Sequence, residues 1–95
     1  MNEKHLSILK SAISHYGVNV QKVTAMEEMA ELTKELSKSI RYGDINNEHI
    51  AEEIGDVEIM LEQLKIIYNN TAEVEKSKSA KIERLERRVT GGGIL

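Results

Sequence analysis

The chain contains 95 residues, and its 13 Lys and Arg against 16 Asp and Glu give a formal net charge of −3. This length predicts one small domain, and the mild acidity argues against a nucleic-acid-binding surface spread over the whole chain. The absence of Cys excludes disulfide scaffolds, thiolate zinc sites and Cys nucleophiles. The sequence also lacks a long apolar run and a signal-peptide core, so we expect a cytoplasmic protein without membrane contacts.

The remaining composition favours helices. The chain has no Pro, its only aromatic residues are Tyr16, Tyr42 and Tyr68, and Glu, Lys, Leu, Ile and Ala are abundant. Such a sequence is typical of an all-α domain. A short chain without Phe or Trp has to build its core from aliphatic residues and Met, so we expect oligomerisation to enlarge that core.

Apolar residues at helical spacing predict four helices, of which the first two are separated by Gly17. The first is predicted over about residues 3–16, and Gly17 ends it because glycine takes positive φ at little cost. Asn19 is predicted to be the N-cap of the second helix, which reaches about Ile40. The apolar face of the second helix comprises Ala25, Met29, Leu32 and Leu36.

A turn-like stretch from Arg41 to Asn47 precedes the third helix, which begins at an N-cap of Asn46 or Asn47 and ends near Tyr68. Asn70 and Glu73 resemble a capping box for a fourth helix over about residues 71–89. The apolar face of the third helix is the most regular and comprises Ile50, Ile54, Val57, Leu61, Leu64 and Tyr68. We therefore predict a single four-helix bundle-like domain over residues 1–90, followed by a flexible tail over residues 91–95.

Two Glu residues of the second helix lie beside its apolar face, where solvent-facing acids are not expected. Glu28 is three residues after Ala25 and four before Leu32, so it flanks the buried side. Glu31 is three residues after Glu28 and points to the same flank, about 60° further round the helix. Both carboxylates are therefore predicted to lie beside the packed seam.

The third helix repeats this arrangement. Glu53 is three residues after Ile50 and four before Val57, and Asp56 again follows three residues later. Gly55 between them is predicted to leave room for a close approach. If the second and third helices pack antiparallel through their apolar faces, the two acidic pairs face each other near the seam.

Carboxylates gathered in this way repel one another and resist ionisation when partly buried. Either some of them stay protonated, or a divalent cation neutralises them. Oxygen ligands without His or Cys suit a hard ion, so Mg²⁺ is expected and Mn²⁺ is possible. Since Mg²⁺ usually shares its shell with substrate phosphates, the pattern indicates metal-assisted attack of water on a phosphoanhydride.

The acidic residues also carry a resemblance. Glu27-Glu28-x-x-Glu31, a gap of 21 residues and Glu53-x-x-Asp56 resemble the signature of the MazG-like all-α nucleoside triphosphate pyrophosphohydrolases, most of all the short single-domain members of bacteria and phages. The similarity spans about residues 15–90. It also includes Gly17-Val18-x-x-Gln21, the Arg41-Tyr42-Gly43 turn, the run from Asp56 to Leu61 and a basic last helix.

This resemblance implies Mg²⁺-dependent cleavage of a (d)NTP to the monophosphate and pyrophosphate, by a homodimer or homotetramer. Carried over by motif position, Glu28, Glu31, Glu53 and Asp56 would be metal ligands. Glu27 would have a supporting catalytic role, orienting a ligand or a water.

Candidate substrate-binding residues are less clearly marked. The basic last helix has Lys78, Lys81 and Arg84, which either meet the triphosphate, as the resemblance favours, or form a solvated face paired with neighbouring Glu residues. The resemblance implies a base held by aromatic residues, and since the chain has no Phe or Trp, the remaining candidates are Gln21, Tyr16, Tyr42 and His15.

Two alternative functions stay open at this point. One is phosphoribosyl-ATP pyrophosphohydrolase, an enzyme of similar size and related helical fold. The other is a non-enzymatic helical bundle that binds a partner protein through an apolar face. Mg²⁺-dependent stability would favour an enzyme over the interaction module, because a bound ion stabilises the folded state.

Overall fold

The computed structural model describes residues 1–91 and consists of four α-helices in an all-α, bundle-like arrangement. The helices are α1 (Glu3–Tyr16), α2 (Val18–Tyr42), α3 (Asn47–Tyr68) and α4 (Thr71–Thr90). Residues 1–91 contain no strand, which confirms the predicted fold class. The predicted tail, apart from Gly91, lies outside the described residues.

Glycine residues end α1 and α2. Gly17 has a φ of 95° and donates its N–H to the carbonyl of Ile13, and Gly43 has a φ of 86° and donates to Ser39. These backbone conformations are strained for any residue with a Cβ, which explains the glycines. The predicted stop at Gly17 is confirmed, but α2 begins at Val18 with Gly17 as its N-cap, so the prediction of Asn19 as the cap is wrong.

The predicted N-terminal asparagines occupy the N-cap positions without capping through their side chains. Asn46 precedes α3, yet its Nδ2 donates to the carbonyl and to Oε2 of Glu35, at 3.1 and 2.8 Å. Asn70 precedes α4 but makes no capping hydrogen bond, so the expected capping box with Glu73 is wrong. By contrast, the Asn2 side chain accepts the backbone N–H of His5 at the start of α1.

Helices α2 and α3 form an antiparallel pair. Gln21 near the start of α2 contacts Gln63 near the end of α3, and Glu35 near the end of α2 contacts Asn46 just before α3. Helix α1 packs against both α2 and α3, whereas α4 contacts only α3 among the described elements. The carboxylates of α2 and α3 are therefore brought together by the best-packed pair of helices.

Few side chains of the single chain are buried. The buried apolar residues are Leu9, Ala25 and Met60, and the buried polar ones are Gln21, Glu35 and Gln63. The predicted apolar faces of α2 and α3 lie partly at the edge of the seam, because Met29, Leu36, Ile54 and Leu61 are between 39% and 46% exposed. The antiparallel pair therefore packs through only part of each predicted face. None of the described helices is both long enough and apolar enough to cross a membrane.

Candidate metal centre

The seam between α2 and α3 contains polar side chains at intervals of seven residues. Gln21, Glu28 and Glu35 follow one another along α2 at this spacing, so they lie on one helical face. The first is hydrogen-bonded to Gln63 and the last to Asn46. Glu28 therefore lies in the middle layer, between the amide pair and Glu35.

Three carboxyl groups converge in this middle layer. One oxygen each of Glu28, Glu53 and Asp56 lie within 4.8 Å of one another. Glu28 comes from α2, and the other two are one turn apart on α3, as the i, i+3 spacing predicts. Glu28 and Glu53 are half-buried and Asp56 is exposed, so the group opens to solvent on one side.

The predicted fourth acid, Glu31, does not belong to this group of three but acts on it. Its charge and its carboxyl contact raise the pKa of both Glu28 and Glu53. It is exposed, one turn beyond Glu28 on α2. Glu27 is exposed as well and lies outside the group. The structure therefore brings together three of the four predicted ligands and leaves Glu31 beside them.

Both half-buried acids have pKa values above the ordinary value of 4.5. Desolvation is the largest cause for Glu28, followed by the charges of Glu31, Asp56 and Glu53. Desolvation also leads for Glu53, followed by the charges of Glu31 and Asp56. Oε2 of each of these two Glu side chains is buried without a hydrogen-bond partner. The protein's own groups therefore leave these two carboxylate oxygens without a hydrogen-bond donor.

A hard divalent cation fits these residues. Within residues 1–91 the ion pairs of Lys and Arg go to Glu35, Glu62 and Glu75, and none goes to the four acids of the centre. Carboxylate oxygens are the ligands that Mg²⁺ and Mn²⁺ prefer. A cation would satisfy the unpartnered oxygens and would reverse the repulsion that raises the pKa values. The donor set therefore matches the ion expected from the sequence.

Glu35 is a buried acid of the seam that the sequence analysis did not identify. It is only 8% exposed, and its pKa is lowered chiefly by the hydrogen bond from Asn46. Lys38 and His49 also approach its Oε1, each at 3.6 Å. Its position seven residues after Glu28 was the available signal. Glu35 holds the α2–α3 connection next to the carboxylate layer, and its charge also acts on Glu53.

Two of the candidate base-binding residues are not at the carboxylates. Gln21 is 6% exposed, and its Nε2 donates to Oε1 of Gln63 at 2.6 Å inside the seam. Tyr16 is 59% exposed at the end of α1, with its ring packed edge-on against that of His15. In this chain Gln21 therefore supports the helix pair, and Tyr16 is a surface residue.

The three basic candidates lie on α4, which contacts only α3. Lys78 pairs with Glu75 at 3.6 Å, as the solvated-face interpretation expected. Lys81 and Arg84 are exposed. The structure does not bring these three residues to the carboxylates of the same chain.

Gly55 does not serve a close contact within the chain. A Cβ built at this position meets no atom within 4 Å, so the expected close approach is absent from the α2–α3 seam. Gly55 instead lines an open groove between α1, α3 and α4. The room that it leaves is therefore on a different side of α3 from the seam.

Comparisons of the chain with protein-family models, with curated proteins and with solved structures give no match. The resemblance to nucleotide pyrophosphohydrolases therefore rests on the sequence motif alone.

Proposed function

We propose that this protein is a Mg²⁺-dependent nucleoside triphosphate pyrophosphohydrolase, which hydrolyses a (d)NTP between its α and β phosphates to release the monophosphate and pyrophosphate. The observation that carries the proposal is the convergence of Glu28, Glu53 and Asp56, with two buried oxygens that have no partner. The spacing of these acids, with Glu27 and Glu31, supplies the second support.

The carboxylates would hold the ion and position the reacting groups. Glu28, Glu53 and Asp56 would bind Mg²⁺, and Glu31 is close enough to join them or to accept a proton from a bound water. When bound, Mg²⁺ supplies a water of lowered pKa and positive charge for the phosphate oxygens. Glu27, which is exposed outside the carboxylate group, would orient that water or one of the metal ligands. The protein contributes position and charge, and it needs no covalent intermediate.

A polar pocket at one end of the α2–α3 pair would take the nucleotide, although none of the four acids of the centre lines it. This pocket, of about 580 Å³, lies at the α2–α3 connection and is lined by Glu35, Lys38, Tyr42 and His49 among others. Its volume falls within the usual range for small-molecule sites, about 300–1,000 Å³. Lys38 could approach a phosphate and Tyr42 offers a ring face to a base. Contacts from Lys78, Lys81 or Arg84 would have to come from another copy or from a movement of α4.

Product analysis with a matched pair of variants tests the proposal. The pure protein, Glu53→Gln and Glu52→Gln are incubated with a panel of NTPs and dNTPs plus Mg²⁺, and the products are resolved. Glu52 is the control because it is exposed and adjacent in sequence but outside the carboxylate group. We expect monophosphate and pyrophosphate from the wild type and from Glu52→Gln, and no turnover by Glu53→Gln with unchanged helix content.

Other results would identify a different function. Nucleoside diphosphate and inorganic phosphate as products would refute cleavage between the α and β phosphates. Unchanged activity of Glu53→Gln would refute the assignment of the metal centre. Turnover of phosphoribosyl-ATP in preference to simple nucleotides would favour the phosphoribosyl-ATP pyrophosphohydrolase activity instead.

The interaction module is the second candidate, and the exposed apolar faces favour it. Leu36, Ile54 and Leu61 are each more than 40% exposed, as a surface for a partner helix requires. That candidate leaves the unpartnered carboxylate oxygens without a purpose. Absence of both turnover and Mg²⁺ stabilisation would support it over the enzyme.

A further inference from the structure

The pocket at the α2–α3 connection is built around a buried carboxyl group. Glu35 lines this pocket and is only 8% exposed, and Asn46, His49 and Tyr42 line it as well. Burying a charge is costly unless hydrogen bonds or opposite charges compensate it. The hydrogen bonds that Glu35 and its neighbours make, and those that they leave unmade, therefore indicate which ligand this wall of the pocket can bind.

One oxygen of Glu35 is engaged by the protein and the other is left free. Oε2 accepts an N–H of the Asn46 amide at 2.8 Å, and this hydrogen bond keeps the pKa of Glu35 below its ordinary value, so the group is ionised at neutral pH. Lys38 Nζ and His49 Nδ1 each lie 3.6 Å from Oε1, which is longer than a hydrogen bond. Oε1 therefore remains an acceptor for a donor that enters the pocket.

A second acceptor on the same wall has no donor. Oδ1 of Asn46 is buried and accepts no hydrogen bond from residues 1–91, while Nδ2 of the same side chain donates to Glu35. These two hydrogen bonds fix the orientation of the amide, so Oδ1 is the atom left unpaired. Because a hydrogen bond joins the two side chains, the free Oε1 and Oδ1 belong to neighbouring groups. A ligand with two adjacent N–H donors would satisfy both.

This pair of acceptors lies one layer away from the carboxylate centre. Glu35 follows Glu28 by seven residues on α2, a distance of about 10 Å along the helix axis. Asn46 likewise precedes Glu53 by seven residues at the start of α3. A nucleotide has a similar length from its α-phosphate to the Watson–Crick edge of its base. If its phosphates are at the carboxylate centre, its base therefore reaches the wall formed by Glu35 and Asn46.

Guanine is the common base whose edge fits these acceptors. Its N1–H and its 2-amino group are adjacent donors, whereas adenine and cytosine place one amino group beside a ring nitrogen that accepts. Uracil and thymine have a single N–H between two carbonyl groups, so they also bring acceptors to the wall. His49 can donate a ring N–H to O6 of guanine, and the ring of Tyr42, which is 63% exposed, offers a face for stacking.

We propose that this pocket selects a guanine nucleotide as the substrate, with N1–H and the 2-amino group of the base bound by Glu35 and Asn46. The inference rests on the proposed function, because it requires the phosphates to lie at the carboxylate centre. Base selectivity is nevertheless a separate property. A pyrophosphohydrolase without it would hydrolyse all NTPs at similar rates.

Binding of nucleoside monophosphates tests the selectivity without turnover. GMP, IMP, AMP, CMP and UMP are titrated into the protein in the presence of Mg²⁺, and NMR spectra give the Kd of each. We expect GMP to bind about 10-fold more tightly than AMP, CMP or UMP, since one good bidentate contact discriminates to this degree. IMP lacks only the 2-amino group and should lie between GMP and AMP. Equal affinities, or a preference for another base, would overturn the inference.

Two variants of the same pocket separate recognition of the base from support of the fold. In Glu35→Gln the amide carbonyl can still accept from Asn46, but the amide N–H₂ group then faces the base as a donor, so the preference for GMP over AMP should disappear. Glu48→Gln removes an exposed acid that lines the same pocket, and it should keep this preference. An equal loss of affinity for every monophosphate in Glu35→Gln would overturn the inference. The wild-type comparison of GMP with IMP depends on neither variant.

The panel of NTPs distinguishes failure of this inference from failure of the proposed function. We expect GTP and dGTP to be hydrolysed with a higher kcat/KM than the other nucleotides. Hydrolysis of all of them with similar kcat/KM would overturn the base selectivity and leave the pyrophosphohydrolase assignment intact. Selective binding of GMP without hydrolysis of GTP or dGTP would support the guanine pocket and refute the proposed reaction.

Discussion

The amide pair in the seam offers a sharp test of how α2 and α3 are held together. Gln21 and Gln63 are 6% and 4% exposed, and a hydrogen bond of 2.6 Å joins their side chains. Replacing either one by Leu keeps a similar volume but leaves the remaining amide buried without its partner. Replacing both by Leu removes the polar groups together. A single replacement should therefore destabilise the protein, whereas the double replacement should not.

The expected magnitudes follow from the cost of an unpaired buried group. Gln63→Leu should cost about 1–3 kcal/mol, because the Nε2 amide of Gln21 loses its acceptor. Gln21→Leu should cost a similar amount for the stranded acceptor of Gln63. The double variant should be near wild-type stability, since no polar group is left unpaired. The coupling free energy in this double-mutant cycle equals the sum of the two single costs and should therefore be about 2–6 kcal/mol.

Urea unfolding followed by circular dichroism measures the cycle, with all variants at one protein concentration. Asn19→Leu is the control: this residue is exposed on α2 and its change should stay within about 0.5 kcal/mol. A double variant destabilised by the sum of its two single changes would refute the reasoning. The hydrogen bond would then not determine the stability of the seam.

Three further predictions concern Mg²⁺ binding at the carboxylate centre, the pH dependence of stability and the packing of the core. Mg²⁺ at about 100 times its Kd should stabilise the wild type by about 2.7 kcal/mol in a thermal melt, and Glu28→Gln should lose this gain. Without metal, burial and neighbouring acids raise the pKa values of Glu28 and Glu53 above 4.5. Their protonated forms therefore contribute stability that is fully present below pH 4.5, the unfolded-state pKa. This stability is lost as the pH rises through the folded-state pKa values. A pH series of melts should therefore be flatter in Glu53→Gln, and an equally steep series would contradict the assignment. Met60→Ala should cost about 2–5 kcal/mol because Met60 is 6% exposed, whereas a loss below 1 kcal/mol would argue against this core position.

The sequence predicted the helices well because their signals are local. Apolar periodicity marked four segments, and Gly17 ended the first one where the structure does. The convergence of Glu28, Glu53 and Asp56 was also predictable, since three- and four-residue offsets from apolar positions place side chains on one flank. These inferences needed only the geometry of a single helix and the assumption of an antiparallel neighbour.

The centre of the seam was harder to predict because it depends on how far each helix turns about its own axis. The apolar residues of α2 suggested a face through Met29 and Leu36, but the buried face runs through Gln21, Glu28 and Glu35. The two faces differ by about 90° round the helix. A rotation of this size follows from pairing across two helices, and it leaves Met29 and Leu36 of α2 39% and 46% exposed. The same rotation places Gln21 and Glu35 inside the seam, each hydrogen-bonded to a residue beyond α2.

The three polar layers also determine the alignment of α2 with α3. An apolar pattern repeated along two helices permits several alignments that differ by a whole heptad. Here the layers are chemically distinct: an amide pair, an acidic group, and a carboxylate held by Asn46. Sliding α3 by seven residues would separate Gln21 from Gln63 and break the hydrogen bond between them. The polar seam therefore costs the chain some packing energy and in return makes one alignment distinguishable from its neighbours while the hairpin forms.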